Sequence, residues 1–195
     1  MSLNPLIPTS RSATPEVRLE VTSNPIFLSG IRELVHGVCR RLGFHEANCS
    51  QVALAVDEAL CNVIRHGYDK RTDGHIWMSL YPYQVTAAGQ SEPDLHLQIV
   101  LEDEARQVDP ATIKSRDLSD IRPGGLGVHI IKEVMDEVRY QQRSPAGMRL
   151  EMLKKQGPTA KRLECCPDPE CGDKSSGSPA TKNQSMKSGG CHGER

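Results

Sequence analysis

The chain has 195 residues, a formal net charge of -1 and an aromatic share of 4%. That length suits one ordinary domain with some chain to spare, and a near-neutral, aromatic-poor composition argues against direct nucleic-acid binding. No apolar run reaches the roughly 18 to 20 residues that span a bilayer, and MSLNPLIPTSRSATPE lacks the apolar core of a signal peptide; the expectation is a cytoplasmic protein without a membrane contact.

Residues 1–15 are rich in Ser, Thr and Pro and show no periodicity, which predicts a flexible N-terminal segment. The ordered domain is expected over 16–156. Val17, Leu19 and Val21 alternate with polar residues as in a half-buried strand over 17–23, and Ser23, Asn24 and Pro25 turn the chain. Between Phe27 and Leu42, Ile31, Leu34, Val35, Val38 and Leu42 recur at helical spacing, and Gly43 supplies a stop. A second helix is predicted from Glu46 to His66, closed by Gly67. Val52, Leu54, Ala55, Val56, Ala59, Leu60, Val63 and Ile64 make most of its circumference apolar, as in a helix packed on several sides. An α-helix turns about 100° per residue, so Glu58, Asn62, Arg65 and His66 nevertheless share one stripe. A carboxylate and an amide on a packed helix need polar partners.

HIWMSLYPY (75–83) and DLHLQIVLED (94–103) alternate and read as neighbouring antiparallel strands. Residues 104–123 are polar and irregular over a length typical of lids. GGLGVHIIKEVMDEV then restores helical spacing through Val128, Ile131, Val134 and Met135, and VRYQQRS and MRLEMLKK give two further strands around SPAG. From Gly157 the composition shifts to Gly, Ser, Pro and Lys, which predicts a disordered tail over 157–195. The order of strand, two helices, two strands, lid, helix and two strands predicts an α+β fold. It is a two-layer α/β sandwich with helices on one face of a mostly antiparallel sheet.

The seven cysteines do not resemble a disulfide framework. Cys39, Cys49 and Cys61 fall in helical, apolar surroundings and read as small hydrophobic residues. Cys165, Cys166, Cys171, Cys191 and His192 in the tail fit no compact zinc finger, and Arg116 and Arg122 read as solvated lid residues. GGLG at 124–127 opens a helix, where unpaired backbone N–H groups and the helix dipole favour an anion and missing side chains let it approach.

AVDEALCNVIRHGY, VLEDEARQVDP and PGGLGVHIIKEVMDEVRYQQRSPAGMRLEMLKK, in this order and at these distances, resemble the GHKL ATPases. These carry the Bergerat ATP-binding fold, and the wording is nearest to the anti-sigma-factor serine/threonine-protein kinases. The resemblance covers about residues 15–156. It implies ATP and Mg²⁺ as cofactors, with Glu58 as the general base toward a serine hydroxyl and Asn62 presenting its amide oxygen to the metal. It implies that Asp103 accepts a hydrogen bond from the adenine amino group, and that His66, Gly125, Leu126 and Gly127 contribute to nucleotide binding. The implied partners are a small anti-anti-sigma-like antagonist protein, phosphorylated on serine, and a sigma factor or other effector exchanged by partner switching; homodimerisation is left open. The chain departs from the family at two points. Ala105 stands where the strand-ending Asp-any-Gly motif has glycine, and Met148 and Arg149 follow Gly147 where a threonine usually does. These departures keep an alternative in view: a catalytically weak or inactive binding module of the same fold that regulates by complex formation alone.

Overall fold

The computed structural model describes residues 6–113 and 126–156. Five strands, β1 (Val17–Thr22), β2 (His75–Val85), β3 (Asp94–Asp103), β4 (Glu137–Gln142) and β5 (Met148–Gln156), form one sheet in the order β1-β2-β3-β5-β4. Every neighbouring pair is antiparallel. Helices α1 (Leu28–Leu42), α2 (Glu46–Asn62) and α3 (Leu126–Val134) bury their apolar sides against it. The architecture is the expected α+β sandwich.

Period-two alternation decides which sheet face is covered. Ile76, Met78 and Leu80 of β2, Leu97, Ile99 and Leu101 of β3, and Leu150 and Met152 of β5 are all buried. The register sets Met78 opposite Leu101 and Leu101 opposite Leu150, so these side chains form one continuous apolar surface. On the other face Glu102, Arg149 and Glu151 are linked by charge-assisted hydrogen bonds beside Trp77.

α1 contributes Ile31, Val35 and Cys39 at four-residue spacing and ends at Gly43, whose φ of 102° lies in the left-handed region. Its expected start at Phe27 is instead a 3₁₀ turn over Pro25–Phe27, because the Asn24 side chain accepts from the Ile26 N–H and caps that turn first. α2 lies between α1 and α3. Cys49, Val52, Ala53, Ala55, Val56, Ala59 and Leu60 are buried along it, and the alanines allow close approach of its neighbours. Leu54 departs from expectation: it is 43% exposed, on a side of α2 left open. Burial pushes the Cys39 thiol up to about 12 and raises that of Cys49. Both stay protonated at neutral pH, as hydrophobic residues should.

Two anchors have no local sequence signal. In the N-terminal segment Ile7 is buried, the Pro8 carbonyl accepts from the Gln84 N–H at 2.7 Å, and the Gln84 side chain donates to the Ile7 carbonyl at 3.0 Å. At the other end Gln156, the last residue of β5, closes the loop between α1 and α2. Its Oε1 accepts from the His45 N–H at 2.6 Å and from Asn48 Nδ2 at 3.1 Å, while its Nε2 donates to the Gly43 carbonyl at 3.1 Å. Removing this side chain leaves a partly buried N–H and carbonyl without that partner, so Gln156→Ala is expected to cost about 1–3 kcal/mol. Urea unfolding should show a lower midpoint at unchanged slope.

Candidate active site

The site is built at the C-terminal end of α2. The sequence predicts a regular helix to His66, but the backbone widens into a π turn over Val63–Gly67, in which the Tyr68 N–H reaches the Val63 carbonyl at 2.9 Å. That wider turn shifts the phase of the side chains. Asn62 and His66 line a cavity of about 300 Å³, whereas Arg65 is not part of its wall; Arg65 and His66 are both exposed. The side chain of Tyr68 then ties the helix end to the sheet. Its hydroxyl donates to the His75 carbonyl at 2.5 Å and accepts from the Glu104 N–H at 3.0 Å.

Asp103, the last residue of β3, lies in the cavity wall and is 4% exposed. Burial pushes its carboxyl up; the Ala105 and Met148 N–H groups and the Arg143 charge oppose that. Both N–H groups donate to the same oxygen, Oδ1, at 2.9 and 3.0 Å. The approach of Met148 depends on Gly147, with φ of 88°, because a β-carbon there would overlap the Asp103 carbonyl. Much of the remaining wall is apolar, with Ala59, Val63, Leu101, Met148 and Leu150 beside Tyr140, while Arg106 and Thr112 add polar groups. Burial alone pushes the Tyr140 phenol up to about 12, so this wall residue stays neutral at physiological pH.

α3 closes the arrangement. A β-carbon on Gly127 would sit 2.7 Å from Glu58 Oε2 and 3.2 Å from Asn62 Nδ2. Glycine therefore permits the first turn of α3 to rest directly on the carboxylate and amide of α2. Leu126 is 54% exposed and lies outside the cavity wall. Gly124, Gly125, Arg116, Arg122 and the tail cysteines with His192 lie outside the described residues. Among the described residues no cluster of three or more His, Cys, Asp or Glu is placed to hold a metal, and no helix is long and apolar enough to cross a membrane.

Comparison with known proteins matches residues 21–154 to the Histidine kinase-like ATPase domain. The chain belongs to this family. Within it, the chain is 26% identical over 146 residues to the Serine-protein kinase RsbW of Halalkalibacterium halodurans, covering 71% of this chain and 82% of that protein. It is 26% identical over 147 residues to the RsbW of Bacillus subtilis, covering 71% and 84%, and 26% identical over 152 residues to that of Staphylococcus epidermidis, covering 74% and 89%. The span matched to the histidine kinase-like ATPases contains Glu58, Asn62, His66, Asp103 and Gly127.

The residues present fit an adenine nucleotide with its metal. The cavity offers a largely apolar slot with one buried carboxylate and the Asn62 amide at its wall, and the α3 turn at Gly127 rests on Glu58 and Asn62 at its edge. Two features beside the cavity escaped the sequence reading. Gly67 reads as helix punctuation, yet a β-carbon there would lie 2.8 Å from the Ala105 methyl. Ala105 reads as a departure from the family motif, yet its N–H still donates to Asp103 and its methyl occupies the room that Gly67 leaves. Gly67→Ala is therefore expected to cost about 1–3 kcal/mol by overpacking. Adding Ala105→Gly should recover much of that loss, which a double-mutant cycle by urea unfolding would measure.

Proposed function

We propose that the protein is an ATP-binding serine/threonine-protein kinase of the anti-sigma-factor type. It phosphorylates a small antagonist protein on serine and regulates a sigma factor or another effector by partner switching. The observation that carries this reading is the contact of the α3 turn at Gly127 with Glu58 and Asn62, at a cavity whose wall holds Asp103. The RsbW relatives, which are named serine-protein kinases, support the choice of reaction.

In this reading each side chain has one task. Asp103 accepts a hydrogen bond from the adenine amino group, and guanine, which carries a carbonyl there, gains nothing from it. Asn62 offers its amide oxygen to Mg²⁺, which when bound neutralises phosphate charge. Backbone N–H groups at the start of α3, at Gly127, serve the phosphates, a role the family resemblance also gives Gly125, and His66 stands at the cavity wall with Asn62. Glu58 orients the serine hydroxyl of the protein substrate and accepts its proton. The alternative of an inactive binding module drew its support from the threonine missing after Gly147, where Met148 stands, and from Ala105. That residue keeps its hydrogen bond to Asp103 and is matched by Gly67, so it supplies no specific support for lost binding.

The thermal midpoint with saturating Mg-ATP, against Mg-GTP as control, tests the nucleotide site. Ligand at a hundred times its dissociation constant adds about 2.7 kcal/mol, a rise of several degrees for a domain of this size. A rise with ATP alone is expected; the same midpoint with and without ATP would reject the reading. Glu58→Ala is expected to abolish phosphate transfer to the antagonist while leaving the ATP-induced rise in place, and transfer at the wild-type rate would remove Glu58 as base.

A further inference from the structure

Arg143, in the turn between β4 and β5, is not among the residues that the sequence motifs or the cavity wall single out. Its guanidinium Nη1 donates to the Asp103 carbonyl at 2.5 Å. Its Nε lies 3.6 Å from Glu102 Oε1, and its charged carbon stands 5.4 Å from the centre of the Trp77 ring, a cation–π distance. The backbone of the same residue is engaged as well. Its N–H donates to the Gly147 carbonyl at 3.0 Å, and its carbonyl accepts from the Gln107 side chain. The neighbouring Gln142 side chain donates to the Val108 carbonyl at 3.2 Å, and Val108 lines the cavity.

One residue thus touches several of the pieces that determine where the Asp103 carboxylate sits. It holds the Asp103 peptide directly, braces the turn that presents the Met148 N–H to Oδ1, and reaches the segment at Gln107 that continues into the cavity wall. Glu102 and Trp77, in register on adjacent strands, fix the guanidinium from the opposite sheet face. A fork of planar donors can satisfy these directions together, which a lysine ammonium, a point charge on a flexible stem, cannot.

We propose that Arg143 is a positioning residue for base selection: it sets the Asp103 carboxylate against the nucleotide base without touching the nucleotide itself. The inference rests on the adenine-nucleotide reading of the cavity. It predicts a loss confined to what the carboxylate recognises. A residue that only supported the fold would lower the unliganded midpoint and weaken ATP and GTP alike.

The test is calorimetric titration of the full chain with Mg-ATP and with Mg-GTP, for wild type, Arg143→Met and Arg143→Lys, alongside the unliganded thermal midpoint of each. Arg143→Met is expected to raise the dissociation constant for Mg-ATP at least tenfold and to bring the ATP-to-GTP preference toward one. Arg143→Lys should lose less in the same direction. A wild-type preference for ATP that persists undiminished in Arg143→Met overturns the positioning role and leaves the kinase reading standing. A wild type that does not prefer ATP overturns both. Should Arg143→Met fail to fold, Arg143→Lys decides: an ATP-to-GTP ratio equal to wild type overturns the proposal.

Discussion

A carboxylate that is almost wholly buried at a strand end must be hydrogen-bonded, and much of the cavity end of this molecule follows from meeting that need for Asp103. Burying such a group without donors costs several kcal/mol or forces it to take up a proton. The donors come from two separate places, the residue two positions on and the first residue of β5. Bringing the second within reach requires the β4–β5 turn to pass where any side chain at position 147 would collide with the Asp103 peptide. The strand order follows the same logic. Only with β5 between β3 and β4 does the start of β5 lie alongside the end of β3.

α2 is the other fixed element. Covered by α1, α3 and the sheet, it can present Glu58 and Asn62 from a rigid backbone, which suits groups that must be held in place better than a loop would. Its regular geometry stops where the site begins. The π turn at Val63–Gly67 keeps His66 at the cavity while turning Arg65 away, and Tyr68 fastens the end of that turn to β2 and to the residue after Asp103. The helix and the strand that carry the two parts of the site are thereby joined by this phenol, with the Arg106 N–H reaching the Gly67 carbonyl beside it.

The architecture was readable because burial imposes a period. Val17, Leu19 and Val21, or Leu97, Ile99 and Leu101, announce their strands by alternation, and the bounds of β3 match the expectation at both ends. Glu58 and Asn62 could be paired from helical spacing alone, and their approach to Gly127 follows the order of motifs. What could not be read was set by contacts distant in sequence. No residue pattern marks the onset of the π turn, so the phase of Arg65 was extrapolated wrongly. Ala105 reads as a lost glycine because the glycine that complements it lies at position 67, on another element. Ile7 and Gln156 sit in stretches whose composition is uninformative, yet the Ile7 carbonyl is held by the remote Gln84 side chain and the Gln156 side chain by remote backbone.

The Gln156 contact has a consequence for the order in which the domain can be completed. It spans 111 residues and fastens the connection between the first two helices with the final residue of the last strand. α1 and α2 pack on each other through sequence-local contacts that a growing chain can make early, but the bend between them is locked only once β5 is in place. Synthesis from the N-terminus therefore yields a helical hairpin first and a closed domain late. The sheet has the same character, since β1 must wait for β2 across the whole helical segment and β3 for β5 across α3. A chain of this topology carries a high share of non-local pairing, and its rate of folding is governed by loop closure rather than by helix formation.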